Sequence, residues 1–394
     1  MPHLVYLLTD SKACGFLRGQ AGFMRSHGFD VTLISSPGER LEKTAREEQV
    51  RAEPVPMQRE ISPWHDVVSL VRLVRVLRRL RPDIVNAGTP KAALLGMIAA
   101  WITRVPVRIY TLYGLRLETT RGPKRLALFA AEKLTTRLAQ RVICVSESLR
   151  QRYIGLVPGA AHKAVVLGAG SHNGVDASQF SPCDDLRQQA DALRQHFDIT
   201  PETPVIGFVG RFVRDKGIEE LTEAFVQIRM QHPDARLLLL GDFETGDPVS
   251  PQCKARLRED PQVILPGFIK DTAAYYFLMD VLALPSYREG LPSVPLEASL
   301  AEVPVVGFRS TGMVDAVRDG QTGLLVDVGD ADALASAILR YLDDPNLRQQ
   351  HGRAGRRWVL EAFRPQRIWE ALRGEYNTRL KGQATCDSVP DGRG

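Results

Sequence analysis

Short apolar runs that alternate with helical stretches constrain the fold of this chain more than any other feature of its sequence. Residues 4–8 form the first run, a helix through His27 follows, and residues 31–35 form the second run. A run that is apolar at every position is typical of a strand buried on both faces of a sheet. Two such strands joined by a helix predict a parallel, doubly wound sheet and therefore the α/β class.

The same alternation begins again at Pro204, so the sequence predicts two sheets rather than one. A chain of 394 residues is also longer than one ordinary domain. We expect a Rossmann-like domain at 1–177, a polar helical connection at 178–203, a second Rossmann-like domain at 204–365, a last helix at 366–381 and a disordered tail at 382–394. The predicted strands lie at 4–8, 31–35, 55–57, 84–86, 107–112, 142–146 and 165–167, and at 205–209, 236–240, 263–265, 281–284, 303–306 and 324–327.

Composition and spacing argue against several classes of function. The net charge is only +5, and aromatic residues make up 7% of the chain without being interleaved with basic ones, so nucleic acid is not an expected partner. The 8 histidines lack metal-ligand spacing and the 5 cysteines are scattered, so we expect no structural metal site and a reducing compartment. The longest apolar run, 92–102, is too short to span a bilayer. With no signal peptide visible, we expect a cytoplasmic protein or one that is peripheral on a membrane.

Two carboxylates follow the predicted strand at 281–284. Glu289 lies in the loop after the strand, and Glu297 lies in a helix that we expect to start at Pro292. Open α/β sheets bind ligands at the carboxyl ends of their strands, and the free N–H groups at a helix start attract phosphate. A ligand across this helix start can therefore touch both carboxylates. The alternative is a solvated loop glutamate and an unrelated glutamate on a helix face.

A basic loop follows the predicted strand at 205–209. Gly210 permits close approach of the backbone, and the guanidinium of Arg211 fits a phosphate group. Lys216 adds a second positive charge just before the next helix. Together these residues can hold a diphosphate, whereas the alternative is a polar loop with ordinary surface cations.

Taken together, the two segments resemble the retaining glycosyltransferases of family 4, which have the GT-B fold. One shared motif is a pair of glutamates with seven residues between them, and the other is Gly-Arg, four residues and Lys-Gly. The resemblance implies two Rossmann-like domains that face a central cleft. It implies that Glu289 lies beside the transferred sugar and that Glu297 binds the ribose hydroxyls. Arg211 and Lys216 would bind the diphosphate, so Glu289, Arg211 and Lys216 are the predicted catalytic residues.

The resemblance also implies which neighbouring residues bind the nucleotide sugar. In the family, the loop that here contains Phe268 and Ile269 touches the base, largely through backbone atoms. The last helix, at 366–381, crosses back onto the first domain in the family. The predicted nucleotide-sugar-binding residues are Gly210, Phe268, Ile269, Gly290, Leu291, Pro292, Ser293 and Glu297.

The first half resembles bacterial members of the family that build polysaccharides on undecaprenyl diphosphate carriers. This resemblance rests on the stretches TPKAALLGMIAA, VICVSES and GSHNGVD. Many relatives carry histidine where this chain has Asn86, Gly88 and Tyr113, so the role of those histidines does not carry over directly. The candidate acceptor-binding residues are Gly15, Thr89, Lys91, Tyr113, Arg116 and Arg121.

These features predict a glycosyltransferase that moves a hexosyl or N-acetylhexosaminyl group with retention of configuration. The expected donor is a nucleotide-diphosphate sugar, with UDP as the nucleotide, and the expected acceptor is an undecaprenyl-diphosphate-linked saccharide. The sequence shows no protein nucleophile, so we expect a front-face substitution that needs no metal or other cofactor. The alternatives are a non-catalytic nucleotide-sugar-binding protein of the same fold and another GT-B enzyme, such as a sugar-nucleotide epimerase.

A lipid-linked acceptor implies a peripheral position on the inner face of the cytoplasmic membrane. The predicted helix at 64–81 has arginines along one side and leucines and valines along the other. The pattern favours a solvated arginine face on a helix packed against the core, and a basic surface that faces anionic lipid is compatible with that packing. The basic residues available to anionic lipid are Arg72, Arg75 and Arg79 on this helix and Arg116, Arg121, Lys124 and Arg125 in a later loop.

Overall fold

The computed structural model of this chain describes residues 1–58 and 62–386. The chain forms two compact units. The first consists of Met1–Gly174 together with the segment that starts at Pro365, and the second is Val175–Arg364. Each unit contains one parallel sheet and the helices that connect its strands, as the alternating apolar runs predict.

The first unit has a seven-stranded parallel sheet. Its strands are β1 (His3–Leu7), β2 (Asp30–Ser35), β3 (Arg51–Pro54), β4 (Ile84–Gly88), β5 (Val107–Leu112), β6 (Arg141–Cys144) and β7 (Ala164–Val166). They lie in the order β3-β2-β1-β4-β5-β6-β7, with Leu4 of β1 opposite Val31 on one side and Ile84 on the other. The direction of winding therefore reverses between β1 and β4, which is the switch point of this sheet.

Within residues 1–58, 62–174 and 365–386, the first unit has seven α-helices. They are α1 (Gln20–Ser26), α2 (Glu39–Glu48), α3 (Pro63–Leu80), α4 (Pro90–Ile102), α5 (Pro123–Leu138), α6 (Glu147–Leu156) and, at the end of the chain, α16 (Pro365–Cys386). α3 is amphipathic, with Leu73 and Leu77 buried and Arg72 and Arg75 exposed. Within the described ranges, none of the helices combines the length and the hydrophobicity needed to cross a bilayer.

The second unit has a six-stranded parallel sheet in the order β10-β9-β8-β11-β12-β13. The strands are β8 (Val205–Val209), β9 (Arg236–Leu240), β10 (Val263–Gly267), β11 (Val281–Leu284), β12 (Val305–Phe308) and β13 (Gly323–Val326). The helices are α7 (Ala177–Phe180), α8 (Asp184–His196), α9 (Ile218–Gln231), α10 (Pro251–Glu259), α11 (Ala273–Tyr276), α12 (Ser293–Leu300), α13 (Met313–Ala316), α14 (Ala331–Asp343) and α15 (Pro345–Ala362). Its switch point lies between β8 and β11.

The central strands of both sheets are mostly apolar and buried. All five residues of β1 and all four of β11 are buried. Leu237, Leu238 and Leu239 of β9 have no exposed surface. Strands covered on both faces leave no side for solvated charges, so the charged side chains of the candidate site lie beyond the strand ends.

The last helix, α16, packs on the first unit. The indole N–H of Trp369 donates to the side-chain oxygen of Asn173 at 2.7 Å. The amide of Asn86 donates to the hydroxyl of Tyr376 at 2.7 Å, deep beside β4. Gly19 lies against the ring of Trp369, and a Cβ at that position would come within 2.5 Å of the ring. A glycine is therefore needed where α16 passes the start of α1.

Four elements differ from the sequence prediction. The third strand is β3 at Arg51–Pro54 rather than at 55–57, because this edge strand has no apolar run and the apolar residues follow it. α2 was not predicted. The predicted connection at 178–203 contains α7 and α8, and Ala190 and Ile199 belong to the core of the second unit. The predicted tail at 382–394 begins inside α16, which continues to Cys386, and its remainder lies outside the described residues.

A buried carboxyl group lies between α5 and β5. Tyr110 donates to both oxygens of Glu132 at 3.3 Å, and Tyr153 donates to one of them at 3.1 Å. Thr136 shares a 2.6 Å hydrogen bond with the hydroxyl of Tyr153. Burial raises the pKa of Glu132 to about 7, although the two tyrosine hydrogen bonds oppose that shift.

The pKa of Glu132 predicts that the first unit loses stability as the pH rises. The pKa of the folded state exceeds the unfolded value of about 4.3, so folding favours the protonated form. The contribution is fully favourable below pH 4.3, declines as the pH rises towards 7, and is lowest above 7. Glu132→Gln should therefore raise the thermal midpoint by roughly 5 °C at pH 8 and change it little at pH 4.5.

Differential scanning calorimetry of the full chain at the two pH values measures this effect. Glu370→Gln, which replaces an exposed glutamate on α16, is the matched control and should shift neither midpoint. If Glu132→Gln lowered the midpoint equally at both pH values, Glu132 would not be held protonated in the folded state.

Candidate functional site

The two segments singled out in the second half of the sequence leave the sheet side by side. Val281 of β11 lies opposite Ile206 of β8, and both strands run in the same direction. Their carboxyl ends therefore meet at the switch point, which is where open α/β sheets form ligand crevices. The loop after β8 contains Arg211 and Lys216, and the loop after β11 contains Glu289.

Two ion pairs join these loops. The ammonium group of Lys216 contacts the carboxylate of Glu289, and both side chains are largely buried. Arg288 pairs with Asp215 at 2.8 Å, and the backbone N–H of Tyr287 donates to the carbonyl of Asp215 at 3.0 Å. Burial raises the pKa of Asp215, and Arg288 is the main opposing influence. The arrangement sets two cations and two carboxylates at the end of one strand pair.

Two glycines allow the loops to approach so closely. Gly217 has φ +68°, and a Cβ there would overlap the carbonyl oxygen of Pro285 at the end of β11. Gly312 has φ +80°, and a Cβ there would lie 2.7 Å from the carbonyl oxygen of Gly290. The N–H of Glu289 also donates to the carbonyl of Thr311 at 2.8 Å. The loop after β12 thus supports the loop that carries Glu289.

Arg211 stands at the outer side of this group. Its guanidinium donates to Glu244 at 2.8 Å, and both side chains are nearly half exposed. Gly210, which precedes it, is in extended backbone, with its N–H bonded to the carbonyl of Leu240 at 2.9 Å. An exposed ion pair of this kind is weak, so an anionic ligand can compete with Glu244 for the guanidinium.

Glu297 lies on α12, and its carboxylate accepts a 2.7 Å hydrogen bond from the hydroxyl of Tyr276. Tyr276 is fully buried at the end of α11. Burial raises the pKa of Glu297, and hydrogen bonds from Tyr276 and Ser293 act against the shift. Tyr276 is not among the site residues predicted from the sequence, because its contact with Glu297 depends on the tertiary packing of α11 and α12 against α7.

The other predicted nucleotide-sugar residues flank α12 and β10. The helix starts at Ser293, with Pro292 as its N-cap, so it begins one residue later than predicted. Gly290, Leu291 and Pro292 are buried. Beyond the end of β10, Phe268 is 75% exposed, which is unusual for a large apolar side chain and leaves its ring open to a ligand. Its neighbour Ile269 is partly buried.

In the first unit, several predicted acceptor residues are held by neighbours near the switch point between β1 and β4. The hydroxyl of Thr89 bonds to that of Thr9 at 2.7 Å. The ammonium group of Lys91 lies 2.7 Å from a carboxylate oxygen of Asp66. Arg116 and Arg121 are exposed on the segment that leads into α5. A Cβ on Gly15 would meet open space.

Tyr113 belongs to an aromatic cluster after the end of β5. Its ring lies 5.6 Å from that of Phe16 and 6.1 Å from that of His172, and the last two rings are 5.1 Å apart. Phe16 is 41% exposed. Burial lowers the pKa of His172 to about 4, so its imidazole is neutral at pH 7. Neither Phe16 nor His172 is among the site residues predicted from the sequence, although Phe16 follows Gly15 and His172 lies inside the stretch GSHNGVD.

The three positions that depart from the family pattern have different roles here. Asn86 accepts from the hydroxyl of Thr111 at 2.7 Å and donates to Tyr376, so it holds the interior. Gly88 lies under Tyr113, and a Cβ at that position would overlap the tyrosine ring. Gly88 and Tyr113 are therefore a complementary pair in which the absent side chain makes room for the large one.

Across residues 1–58 and 62–386, His, Cys, Asp and Glu side chains form no group of three or more that could hold a metal ion. The charges of the site in the second unit are instead arranged as direct contacts between cations and carboxylates.

Comparison with known proteins adds a sequence match to each unit. Residues 189–358 match the family model described as glycosyl transferases group 1, and residues 16–170 match that of the glycosyl transferase 4-like domain. The capsular polysaccharide biosynthesis glycosyltransferase CapM of Staphylococcus aureus is 38% identical over 378 residues, which cover 96% of this chain and 97% of CapM. The UDP-Gal:alpha-D-GlcNAc-diphosphoundecaprenol alpha-1,3-galactosyltransferase of Escherichia coli is 28% identical over 334 residues, covering 80% of this chain and 81% of that enzyme.

Solved structures agree in fold. Anabaena HepE in complex with UDP and glucose superposes with a TM-score of 0.79 at 20% identity, covering 96% of this chain and 100% of HepE. Sucrose-phosphate synthase from Thermosynechococcus elongatus superposes with a TM-score of 0.77 at 20% identity, covering 97% of this chain and 100% of that protein. At these identities the likeness concerns the fold.

The close contact at Gly217 predicts a sharp response to one methyl group. Gly217→Ala places a side chain in left-handed backbone, at roughly 1–2 kcal/mol, and drives its Cβ into the carbonyl of Pro285. The thermal midpoint of the second unit should fall by roughly 4–8 °C. Gly246→Ala is the matched control, because nothing lies within 4 Å of a Cβ there. Equal midpoints for both variants would show that the two loops are not in tight contact.

Proposed function

The chain belongs to the family 4 glycosyltransferases of the GT-B fold, and from that premise we propose that it moves a sugar from a UDP-linked donor to a lipid-linked glycan with retention of configuration. The observation that carries the proposal is the contact between Lys216 and Glu289 at the switch point of the second unit. This contact joins a cation that can bind phosphate, Lys216, to a carboxylate, Glu289. Both residues occupy positions of the family motifs.

The second unit binds the donor in this proposal. Arg211 and Lys216 hold the diphosphate, together with the N-terminus of α12. The carboxylate of Glu297, oriented by Tyr276, accepts hydrogen bonds from the ribose hydroxyls. The exposed ring of Phe268 lies beside the base. UDP is the expected nucleotide because the HepE structures contain UDP and the Escherichia coli relative is named for UDP-Gal.

Glu289 lies next to the transferred sugar and interacts with its hydroxyls. Lys216, which contacts Glu289, can bind the departing phosphate at the same time, since an ammonium group has three donors. Negative charge grows on the leaving diphosphate in the transition state, and Arg211 and Lys216 stabilise it there. The bond from the acceptor oxygen to the anomeric carbon forms on the face from which the diphosphate leaves. The acceptor proton passes to a phosphate oxygen, so configuration is retained without a covalent sugar–enzyme intermediate.

The acceptor is an undecaprenyl-diphosphate-linked saccharide bound by the first unit. Its support comes from relatives, since CapM is named for capsular polysaccharide biosynthesis and the Escherichia coli enzyme for a diphosphoundecaprenol acceptor. The cluster of Phe16, Tyr113 and His172 offers ring faces and a neutral imidazole at the carboxyl edge of its sheet. The transferred group in this proposal is a hexosyl or N-acetylhexosaminyl group, and the Escherichia coli relative, which is named a galactosyltransferase, supports the hexosyl alternative.

A lipid-linked acceptor places the protein on the inner face of the cytoplasmic membrane. The protein would attach there peripherally through basic residues of the first unit, in contact with anionic headgroups. We further propose that catalysis needs no metal, because two cationic side chains are available to the diphosphate.

Arg211→Ala and Lys216→Ala should each lower turnover by at least roughly tenfold, because each removes a charge that stabilises the leaving group. Transfer from UDP-sugar donors to a lipid-linked acceptor, followed by mass spectrometry of the product, measures the effect. Arg214→Ala is the matched control, since Arg214 lies on the same loop but points its guanidinium towards Glu219 at 3.7 Å.

Full activity in both Arg211→Ala and Lys216→Ala, with folded protein shown by an unchanged thermal midpoint, would overturn the diphosphate assignment. Mass spectrometry also separates the alternatives. An epimerised nucleotide sugar would indicate an epimerase, and a donor that binds without turnover over a broad acceptor panel would indicate a binding protein.

Retention predicts that an α-linked donor sugar gives an α-linked product. Proton NMR of the purified product reports this through the coupling constant of the anomeric proton. The same reaction should proceed unchanged in excess EDTA. A β-linked product would contradict the front-face mechanism, and loss of activity in EDTA that Mg²⁺ restores would contradict metal independence.

A further inference from the structure

Helix α5 of the first unit has the reverse of the usual burial pattern. Its buried residues are Glu132, Thr135 and Thr136, all of them polar. Its apolar residues Leu126 and Leu134 are 73% and 41% exposed. These two leucines are eight positions apart and lie on the same side of the helix. A surface helix normally turns its apolar stripe towards the core, so this face calls for a non-aqueous partner.

The outward face of α5 and the loop before it carry positive charge only. Between positions 119 and 140 the single acidic residue is Glu132, which is buried and whose pKa is raised to about 7. The basic residues of the same stretch are all exposed, and they are Arg121, Lys124, Arg125, Lys133 and Arg137. The face therefore combines an apolar stripe with flanking cations and has no exposed carboxylate of its own.

Two open apolar grooves are bordered by residues of α5. One, of about 480 Å³, lies between α4 and α5 and is lined by Trp101, Leu134 and Arg137 among others. The other, of about 380 Å³, is lined by Leu126, Phe129 and Arg125 among others. Each groove thus has apolar walls and at least one arginine. Trp101 is 59% exposed, and tryptophan is the side chain that favours the boundary between water and lipid.

We propose that the α5 face, defined by Leu126, Leu134, Trp101 and the basic residues beside them, docks on an anionic phospholipid bilayer. The helix lies in the interface, with its apolar residues among the acyl chains and its cations at the phosphates. This inference rests on the proposed lipid-linked acceptor and specifies which surface of the first unit meets the membrane.

Charge favours a bilayer over a second copy of the chain. Two copies that met through this face would oppose five cations to five cations without an exposed acid between them. Helix α3 also exposes apolar residues, namely Trp64, Val67 and Val71. It differs from α5 in its charges, because Asp66 lies in its first turn and its Arg79 already pairs with Glu53 at 2.6 Å. The α5 face combines exposed apolar residues with cations that have no acid beside them in the sequence.

Co-sedimentation of the full chain with vesicles tests the contribution of the exposed leucines of the α5 face. The wild type should bind phosphatidylcholine vesicles that contain phosphatidylglycerol, and binding should weaken at 1 M salt, where the Debye length is about 3 Å. Leu126→Gln combined with Leu134→Gln should lower the bound fraction at least roughly fivefold. Met230→Gln is the matched control, because Met230 is 75% exposed on α9 of the second unit and should not affect binding.

Two triple variants that remove the same charge test whether the membrane-binding surface lies on α5 or on α3. Replacing Lys124, Arg125 and Lys133 with Gln should weaken vesicle binding at least roughly tenfold. Replacing Arg72, Arg75 and Arg79 of α3 with Gln removes the same charge and should weaken binding much less. The proposal is overturned if the α3 variant loses binding and the α5 variant keeps it, or if the wild type ignores anionic vesicles at low salt.

Fluorescence shows directly whether the face enters the lipid. In the Trp64→Phe variant, Trp101 is the most exposed of the remaining tryptophans. Brominated lipid should quench its fluorescence, and this quenching should disappear when Trp101→Phe is added. An unquenched Trp101 in vesicle-bound protein would overturn the proposal. Sugar transfer to a water-soluble acceptor analogue separates the two proposals. Variants of the α5 face should keep this transfer activity. A wild type that binds vesicles but shows no transfer would count against the proposed function alone.

Discussion

The burial of each sheet on both faces is the constraint on which the rest of the structure depends. A strand such as β11 has no side that faces water, so charged residues can stand only beyond its ends. Lys216 and Glu289 meet because the strands that carry them are parallel neighbours that end together. Each of these largely buried charges would be costly alone, and their contact offsets the desolvation of both. The geometry of the site is therefore a consequence of the topology.

Sequence patterns predicted the features whose causes are local. The apolar run at 205–209 forms β8 with the predicted bounds, and the loop after it has its basic residues where the motif indicates. The edge strand β3 was misplaced, because an edge strand needs no apolar run. Tyr276 was missed for a different reason. Its hydroxyl reaches Glu297 only because α11 and α12 both pack against α7, and no spacing in the sequence encodes that contact.

The departures from the family pattern in the first unit also depend on contacts that a linear reading cannot show. Gly88 and Tyr113 are 25 positions apart, but a Cβ on the first would overlap the ring of the second. The tyrosine ring then packs against Phe16 and His172. The first unit thus has an imidazole beside Tyr113, on a different segment of the chain. The departures at Gly88 and Tyr113 look independent in the sequence, but direct contact couples them in the structure.

Contacts between residues that are distant in the sequence also explain how α5 can expose apolar residues. Tyr110 and Tyr153 both donate hydrogen bonds to Glu132, so the inner side of the helix can be polar without leaving the carboxyl group unsatisfied. The leucines that a core-facing stripe would normally contain are then left on the outer side. Glu132 is the single acidic residue of the described stretch 119–140, so its burial leaves the outer side of α5 without a carboxylate of its own. The position of Glu132 therefore determines both the polar interior of the helix and its positively charged, apolar exterior.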